Sequence, residues 1–383
     1  MQVTPGPEEC SVETVTDYAA FLDLKDVWNE TVERAGIGHP FLRHEWLRTW
    51  WECFGGGCRL HILMMKFGNQ IVAIAPLLRD NTRIYGVPVR RLRLLHNDHT
   101  PRADVIVAER PEESYRAMWR ALQEACEPWD VLQFGQLPPE SPAREILPRL
   151  ATTDGHAAGI WRCDDSPYLE LKSSWDEYLA SLTPKFRQNL RNRLTRLQRF
   201  GEPRLQVVDH RAGATGSAVI SAACEQAVRL EASGWKQTFG TAIGSDPTIR
   251  RFYGLFAQRA AEQGWLRLLF LTVNGRAIAT AYALQYRRRL LLVKTGYDPT
   301  YAKCSPFKIL TYFALREAIG AGLAEFDFLG DAEPWKLEWT KTTRPHDWLF
   351  IFSGTRRARL LYFAKFRLLP AMRRYRAAAR FGG

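Results

Sequence analysis

WLRLLFLTVNGRAIATAYALQYRRRLLLVKTGYDPTYAKCSPFKILTYFALREAIGAGLAEFDFLGD, residues 265–331, decides the fold. Its first part reads as three β-strands in a meander. The turn Asn274-Gly275 between the first two is the strongest short hairpin signal in the chain. SPFKILTYFALREAIGAG (305–322) follows as a helix beginning just after a Ser-Pro, and LAEFDFLGD (323–331) returns as a strand. Meander, helix, strand is an α+β unit with a mixed sheet.

Upstream, 174–201 reads as one helix, PRLQVVDH (203–210) as a strand, and 215–235 and 246–265 as two more helices. HDWLFIF (346–352) is the last strand. The first part of the chain repeats this order. Helices are expected over 11–35 and 41–55. The strands RLHILMMKF (59–67) and QIVAIAPLLR (70–79) meet at Gly68-Asn69, and RLRLLHND (91–98) and ADVIVAE (103–109) follow. Then come a helix over 111–126, a strand over 129–137, a helix over 141–155 and a strand over 159–171. The repeat predicts an internal duplication of one α+β unit, with domains at 1–165 and 166–354 and a basic amphipathic C-terminal helix at 355–383.

The composition is that of a globular protein, with 46% hydrophobic and 25% charged residues. The seven cysteines form no C-x-x-C pair, so neither a disulfide framework nor a structural zinc site is expected, and a reducing cytoplasm fits. MQVTPGPEEC shows no basic patch followed by an apolar run, so no signal peptide is expected, and no stretch reaches the ~18 apolar residues of a spanning helix. The net charge of +12 is local. Residues 355–383 hold nine basic side chains and no acid, and 185–204 hold seven against Glu202 alone. The remainder, with 37 basic and 40 acidic residues, is close to neutral. RRARLLYFAKFRLL (356–369) interleaves these charges with Leu and Phe, the pattern of a helix lying on an anionic membrane surface; DNA is not expected as a partner.

Residues 174–352 resemble the acyltransferases of the FemAB/CelD-like branch of the GNAT superfamily. The matching stretches are ASLTPKFRQNLRNRLTRLQRFG (180–201), EASGWKQTFGTAI (231–243), LFLTVNGRAIATAYAL (269–284) and the run 291–340, where GYDP-x-Y…SP precedes FDFL-x-x-x-E-x-x-K. FLRHEWLRTWWECFG and IVAIAPLLR resemble the degenerate first repeat of the same proteins. The resemblance implies two tandem GNAT-like domains with mixed, mostly antiparallel sheets flanked by helices. It also implies acyl transfer from a thioester, acyl-CoA or acyl carrier protein, to an amine. The pantetheine would lie between splayed central strands and the phosphates at the start of the next helix. In place of the superfamily's Gly-rich loop stand Tyr301, Lys303, Ser305 and Lys308, taken as the donor-binding residues. An aminoacyl-tRNA donor, as in FemX-type relatives, is less expected because the long helical arm of FemA-type members is missing.

Four residues are the expected catalytic groups. Asp327, between Phe326 and Phe328 on a strand, is a candidate base, as is Glu231 at the start of EASGWK. Tyr297 would protonate the leaving thiolate. His99, in the polar loop HNDHTPRAD (96–104), is a possible second base. Lys236, Lys336 and Asp98 are expected to touch substrate, and no metal is expected. The acceptor implied is an amine on a lipid, a sugar or an envelope or polysaccharide precursor, with ceramide-type and cellulose- or exopolysaccharide-related roles both within range. The rival readings are tRNA-dependent aminoacyl transfer and a non-catalytic subunit of a polysaccharide machine.

Overall fold

The computed structural model describes residues 9–124, 126–163, 165–209, 216–233 and 246–371. The first elements in chain order are β1 (Ser11–Val15), α1 (Tyr18–Asp23), α2 (Lys25–Arg34), α3 (His44–Phe54), β2 (Arg59–Phe67), β3 (Gln70–Ile84) and β4 (Val87–Leu94). They continue with β5 (Ile106–Val107), α4 (Pro111–Glu124), β6 (Val131–Leu137), α5 (Ala143–Thr153) and β7 (Ala157–Arg162). Next come β8 (Ser166–Glu170), α6 (Trp175–Ser181), α7 (Pro184–Gln198), β9 (Pro203–Asp209), α8 (Gly216–Ala232) and α9 (Pro247–Glu262). The last are β10 (Leu266–Val273), β11 (Arg276–Tyr286), β12 (Arg289–Tyr297), α10 (Pro306–Gly320), β13 (Glu325–Asp327), β14 (Thr343–Arg344), β15 (Asp347–Phe352) and α11 (Arg356–Phe363).

The chain divides into two compact units, one of residues 1–37, 41–163 and 345–383, the other of 38–40 and 164–344. Each is built on its own mixed sheet. In the first the strand order is β1-β2-β3-β4-β6-β15-β7, with β5 paired to β3. In the second it is β14-β8-β13-β12-β11-β10-β9. The expected meander is present: Val273 pairs with Arg276 across Asn274-Gly275, whose φ angles of 50° and 76° suit a tight hairpin turn. Phe67 pairs with Gln70 across Gly68 in the first unit in the same way.

Alternation along the strands sorts the second sheet into two faces. Leu269, Leu271, Ala281, Ala283 and Leu292 pack with Phe186, Leu190 and Leu197 of α7 and with Ile309, Leu310 and Ala314 of α10. Tyr282 points the other way, and its hydroxyl donates to the Tyr253 carbonyl of α9 at 3.3 Å. The first unit is organised similarly. Tyr115, Met118, Trp119 and Leu122 of α4 and Leu147 of α5 cover Leu63, Met65, Ala73, Leu92 and Phe134 of its sheet.

Several elements differ from the sequence expectation. SVETV (11–15) is an edge strand on β2 rather than the start of a helix, and Asp17 caps α1 by accepting from the Ala20 N–H at 2.9 Å. The helix expected over 174–201 is broken at Leu182. Thr183 accepts from the Phe186 N–H at 3.3 Å and Pro184 opens α7, a fresh helix start. The strand expected over 159–171 is two strands in two different sheets, β7 and β8. HDWLFIF, placed by sequence in the second domain, forms β15 of the first unit, antiparallel to β6 and β7. β15 beside β6 and β8 beside β13 hold equivalent places in their sheets, each antiparallel to the strand that follows a meander and a helix.

Candidate active site

In the second unit β12 and β13 run parallel over three residue pairs only, Arg289–Leu291 against Glu325–Asp327. β13 then ends, and the Phe328 N–H turns to the Pro167 carbonyl at 3.1 Å. β12 runs on to Tyr297. Among the described residues no strand pairs with 292–297 on that side. At the parting point β12 carries a bulge, since Ala283 faces Leu292 and Tyr282 faces Lys294, leaving Val293 unmatched. The slot expected between central strands therefore opens beside an irregular stretch of backbone.

Two residues flank the free end of β12. Gly296 faces α8 so closely that a Cβ there would run into the Glu231 backbone, which is why glycine stands at this point. Glu231 is buried, 2% exposed. Its charge adds to the burial that raises the Tyr253 phenol well above its ordinary range. The Ser233 hydroxyl lies 2.8 Å from the Leu230 carbonyl and 3.2 Å from that of Tyr297, docking the end of α8 onto the strand. Tyr297, the next residue along, packs its ring on the α7–α10 side. Glu231 and Tyr297 thus flank the same strand end from opposite sides of the sheet.

The loop after β12 leads to the residues expected from sequence to bind the donor. Asp298 caps a 3₁₀ turn (Pro299–Cys304) by accepting from the Thr300 N–H and hydroxyl at 2.9 and 2.6 Å. Burial alone would raise its carboxyl, but those bonds and Arg276 outweigh it and hold it below the usual range. Ser305 sits in the left-handed region at φ 49°, with Pro306 opening α10. Arg193 of α7 donates to the Ser305 hydroxyl, and Arg196 to the Lys303 carbonyl at 2.8 Å. These arginines were read from sequence only as a basic helix face, and the structure ties them to the residues ahead of α10. Lys303 is exposed there. Tyr301 stacks edge-on against Phe200 at 5.4 Å. Lys308 is drawn to Glu338 and lies 5.7 Å from the Phe186 ring, so its charge is partly spent.

Two expected site residues have other bonding. Asp327 is fully buried; Oδ2 accepts from Arg344 at 3.0 Å and Oδ1 from the Leu329 N–H at 2.9 Å. That is the bonding of a strand-end ion pair rather than of a general base. Lys336 donates to the Leu329 and Asp331 carbonyls, both at 2.8 Å, and pairs with Glu333 at 3.1 Å. It pins the turn after β13 instead of offering its ammonium to a phosphate or an oxyanion. Lys236 lies outside the described residues.

Asp98 and His99 belong to the first unit, where the same strand plan has a different outcome. β4 parallels β6 over Arg91–Arg93 and Val131–Gln133, then leaves it. His96 fills the gap: a Cβ on Gly135 of β6 would strike its ring and that of Trp348. Burial, with help from Arg93, lowers the His96 pKa to about 4, so the ring is neutral. His99 stacks on Phe54 at 5.7 Å, and Asp98 is exposed. Among the described residues no group of three or more His, Cys, Asp or Glu could hold a metal.

Asp104 of the same loop accepts from the Ser141 hydroxyl and the Val105 N–H, both at 2.8 Å. Burial pushes its pKa up to about 7 from an ordinary 3.8. A raised carboxyl contributes stability fully below its unfolded value and loses it as pH climbs through its folded one. Asp104→Asn keeps an acceptor for both donors and carries no charge. The wild type should therefore lose more of its unfolding free energy than the variant between about pH 4 and pH 8, by on the order of 4 kcal/mol. Urea titrations across that range check this, and parallel pH profiles would refute it.

Residues 184–337 match the family described as "Acetyltransferase (GNAT) domain". No curated protein matches. Among solved structures, that of FemX is similar over 91% of this chain and 100% of its own, at TM-score 0.60 and 11% identity. L-PGS from Bacillus licheniformis is similar over 91% of this chain and 95% of its own, at TM-score 0.51 and 12% identity. The C-terminal domain of a putative lysylphosphatidylglycerol synthetase from Agrobacterium fabrum is similar over 88% and 95%, at TM-score 0.50 and 14% identity. At these identities the likeness is one of fold. The family model covers 184–337, within the second unit, and that stretch contains β12, β13 and α10.

Proposed function

We propose that the second unit transfers an acyl group from a thioester, acyl-CoA or acyl carrier protein, to an amine on a lipid, sugar or envelope or polysaccharide precursor at the cytoplasmic face of the membrane. The observation that carries this reading is the splay of β12 from β13, with buried Glu231 against Gly296 on one side and the start of α10 beyond. The thioester lies along the bulged edge of β12. Its phosphates meet the first N–H groups of α10, with Lys303 beside them. The acceptor ammonium gives a proton to the Glu231 carboxylate, and the free amine attacks the thioester carbonyl. A C–N bond forms, the C–S bond breaks, the thiolate takes a proton from Tyr297, and the extra proton on the new amide nitrogen passes through solvent to restore the Tyr297 phenol.

The name of one fold relative, a putative lysylphosphatidylglycerol synthetase, points to a phospholipid acceptor, which favours the lipid among the amines considered. The FemX likeness, with Arg193 and Arg196 beside the donor end, favours an aminoacyl-tRNA donor as the second reading. A ligand panel separates them: acetyl-CoA, palmitoyl-CoA, free CoA and uncharged tRNA, read by thermal unfolding. At a hundredfold excess over Kd, binding stabilises the fold by about 2.7 kcal/mol. The expected result is a shift with an acyl-CoA that Lys303→Glu removes. A shift with tRNA alone would sink the thioester reading in favour of the second. Silence from all four, together with no turnover of acyl carrier protein, would leave a non-catalytic subunit.

A further inference from the structure

We infer that the outer side of α11 and its continuation is a docking face for an anionic lipid bilayer. The inference concerns where the protein sits and stands apart from the chemistry at β12. α11 is fixed to its own unit by its inner side: Ala358 and Leu361 are buried with Phe350 and Phe352 of β15, and Phe366 lies on Gly159 of β7, where a Cβ would strike its ring. A helix held this firmly should hide its large apolar side chains. Instead Leu360, Phe363 and Leu368 are 71%, 56% and 47% exposed.

The geometry makes these one ridge. Arg356, Leu360, Phe363 and Arg367 recur at four, three and four residues, a single helical stripe. From Ala364 to Leu368 the helix opens into a π turn. The wider turn carries Leu368 closer to the Phe363 side than an α turn would, and Phe366 inward below Leu361. Arg356, Arg359 and Arg367 are exposed around the ridge, and among the described residues none pairs with a carboxylate. Ile84 and Val87, which flank the hairpin tip of β3 and β4, pack on the same apolar cluster. At that tip Tyr85 is 52% exposed. An apolar ridge ringed by unpaired guanidiniums matches a bilayer interface: acyl chains take Leu and Phe, and anionic headgroups take Arg. No helix among the described residues is long and apolar enough to cross a membrane.

The test uses the full chain and co-sedimentation with vesicles of phosphatidylcholine alone or mixed with phosphatidylglycerol. Binding is expected to the mixed vesicles, falling as salt rises. The double variant Leu360→Glu, Phe363→Glu should weaken it about tenfold or more, while the circular dichroism and unfolding midpoint stay those of the wild type. Failure to bind mixed vesicles overturns the inference, as does binding that the double variant leaves intact, since the ridge would then not be the contact. Dimerisation or tRNA binding through this ridge without vesicle binding would equally overturn it. Vesicle binding and the thioester shift are separate readings, so either can fail without the other.

Discussion

Glu231→Gln is expected to leave the protein folded and to slow acyl transfer by about a hundredfold to ten-thousandfold, the usual weight of a positioned general base. Gln has the shape of Glu, so the packing of α8 on Gly296 survives; only the ability to take the acceptor's proton is lost. The pH dependence distinguishes a base from a packing residue. With Glu231 present, the amine can be deprotonated on the enzyme. Without it, transfer draws on amine already free in solution, so the residual rate should keep rising with pH toward the amine's own pKa. A loss in kcat with KM nearly unchanged would show that the carboxylate acts in the transition state rather than in holding substrate. Wild-type turnover in Glu231→Gln would sink the role given to it here.

The parts of the fold that were legible in the sequence are those whose signals are local. Asn274-Gly275 and Gly68-Asn69 announced the two meanders, and the apolar pattern of 184–198 announced a helix there, which buries Leu190 and Leu197. The Thr183-Pro184 start of α7 was also a local signal, but it was absorbed into a longer apolar pattern. What stayed hidden depends on partners distant in sequence. GIWRCDDSPYLEL reads as one strand although its Asp-Asp-Ser-Pro centre is a break signal, and only pairing shows that Ala157–Arg162 and Ser166–Glu170 serve different sheets. β15 is apolar enough for either unit, and its register on β6 and β7 cannot be read from its own residues. The site shows the same division. Glu231 and Tyr297 were named from the resemblance, and only the structure shows that they lie beside the same strand end, on opposite sides of the sheet. Asp327 and Lys336 carried the same resemblance, yet their partners, Arg344 and the Leu329 and Asp331 carbonyls, absorb their charge. His96 closing the first unit's gap depends on Gly135 and Trp348, which lie far along the chain.

Arg344→Met should cost about 3–5 kcal/mol of folding stability, the penalty for leaving buried carboxylates without their cation. The guanidinium reaches Asp327 Oδ2 and Glu325 Oε2, both at 3.0 Å, and lies 4.1 Å from the centre of the Tyr168 ring. Burial works against its charge, but the bond to Glu325 and the charge of Asp327 outweigh that and raise its pKa. Both acids belong to β13, a strand of three residues whose short register with β12 sets where the slot opens. With so little ladder, the bridge from β14 across β8 to β13 has to hold the strand in place. Methionine keeps most of the volume and removes the charge, so urea unfolding of Arg344→Met reports the stranded carboxylates. Adding Asp327→Asn and Glu325→Gln should recover a large part of the loss, because neutral amides are far cheaper to bury than unpaired carboxylates. A loss below about 1 kcal/mol in the single variant, typical of exposed pairs, would mean that water reaches the pair and that β13 is held by its ladder alone. With the cost as expected, Asp327 is fixed as the residue that positions the slot's edge, and the proton chemistry is left to Glu231.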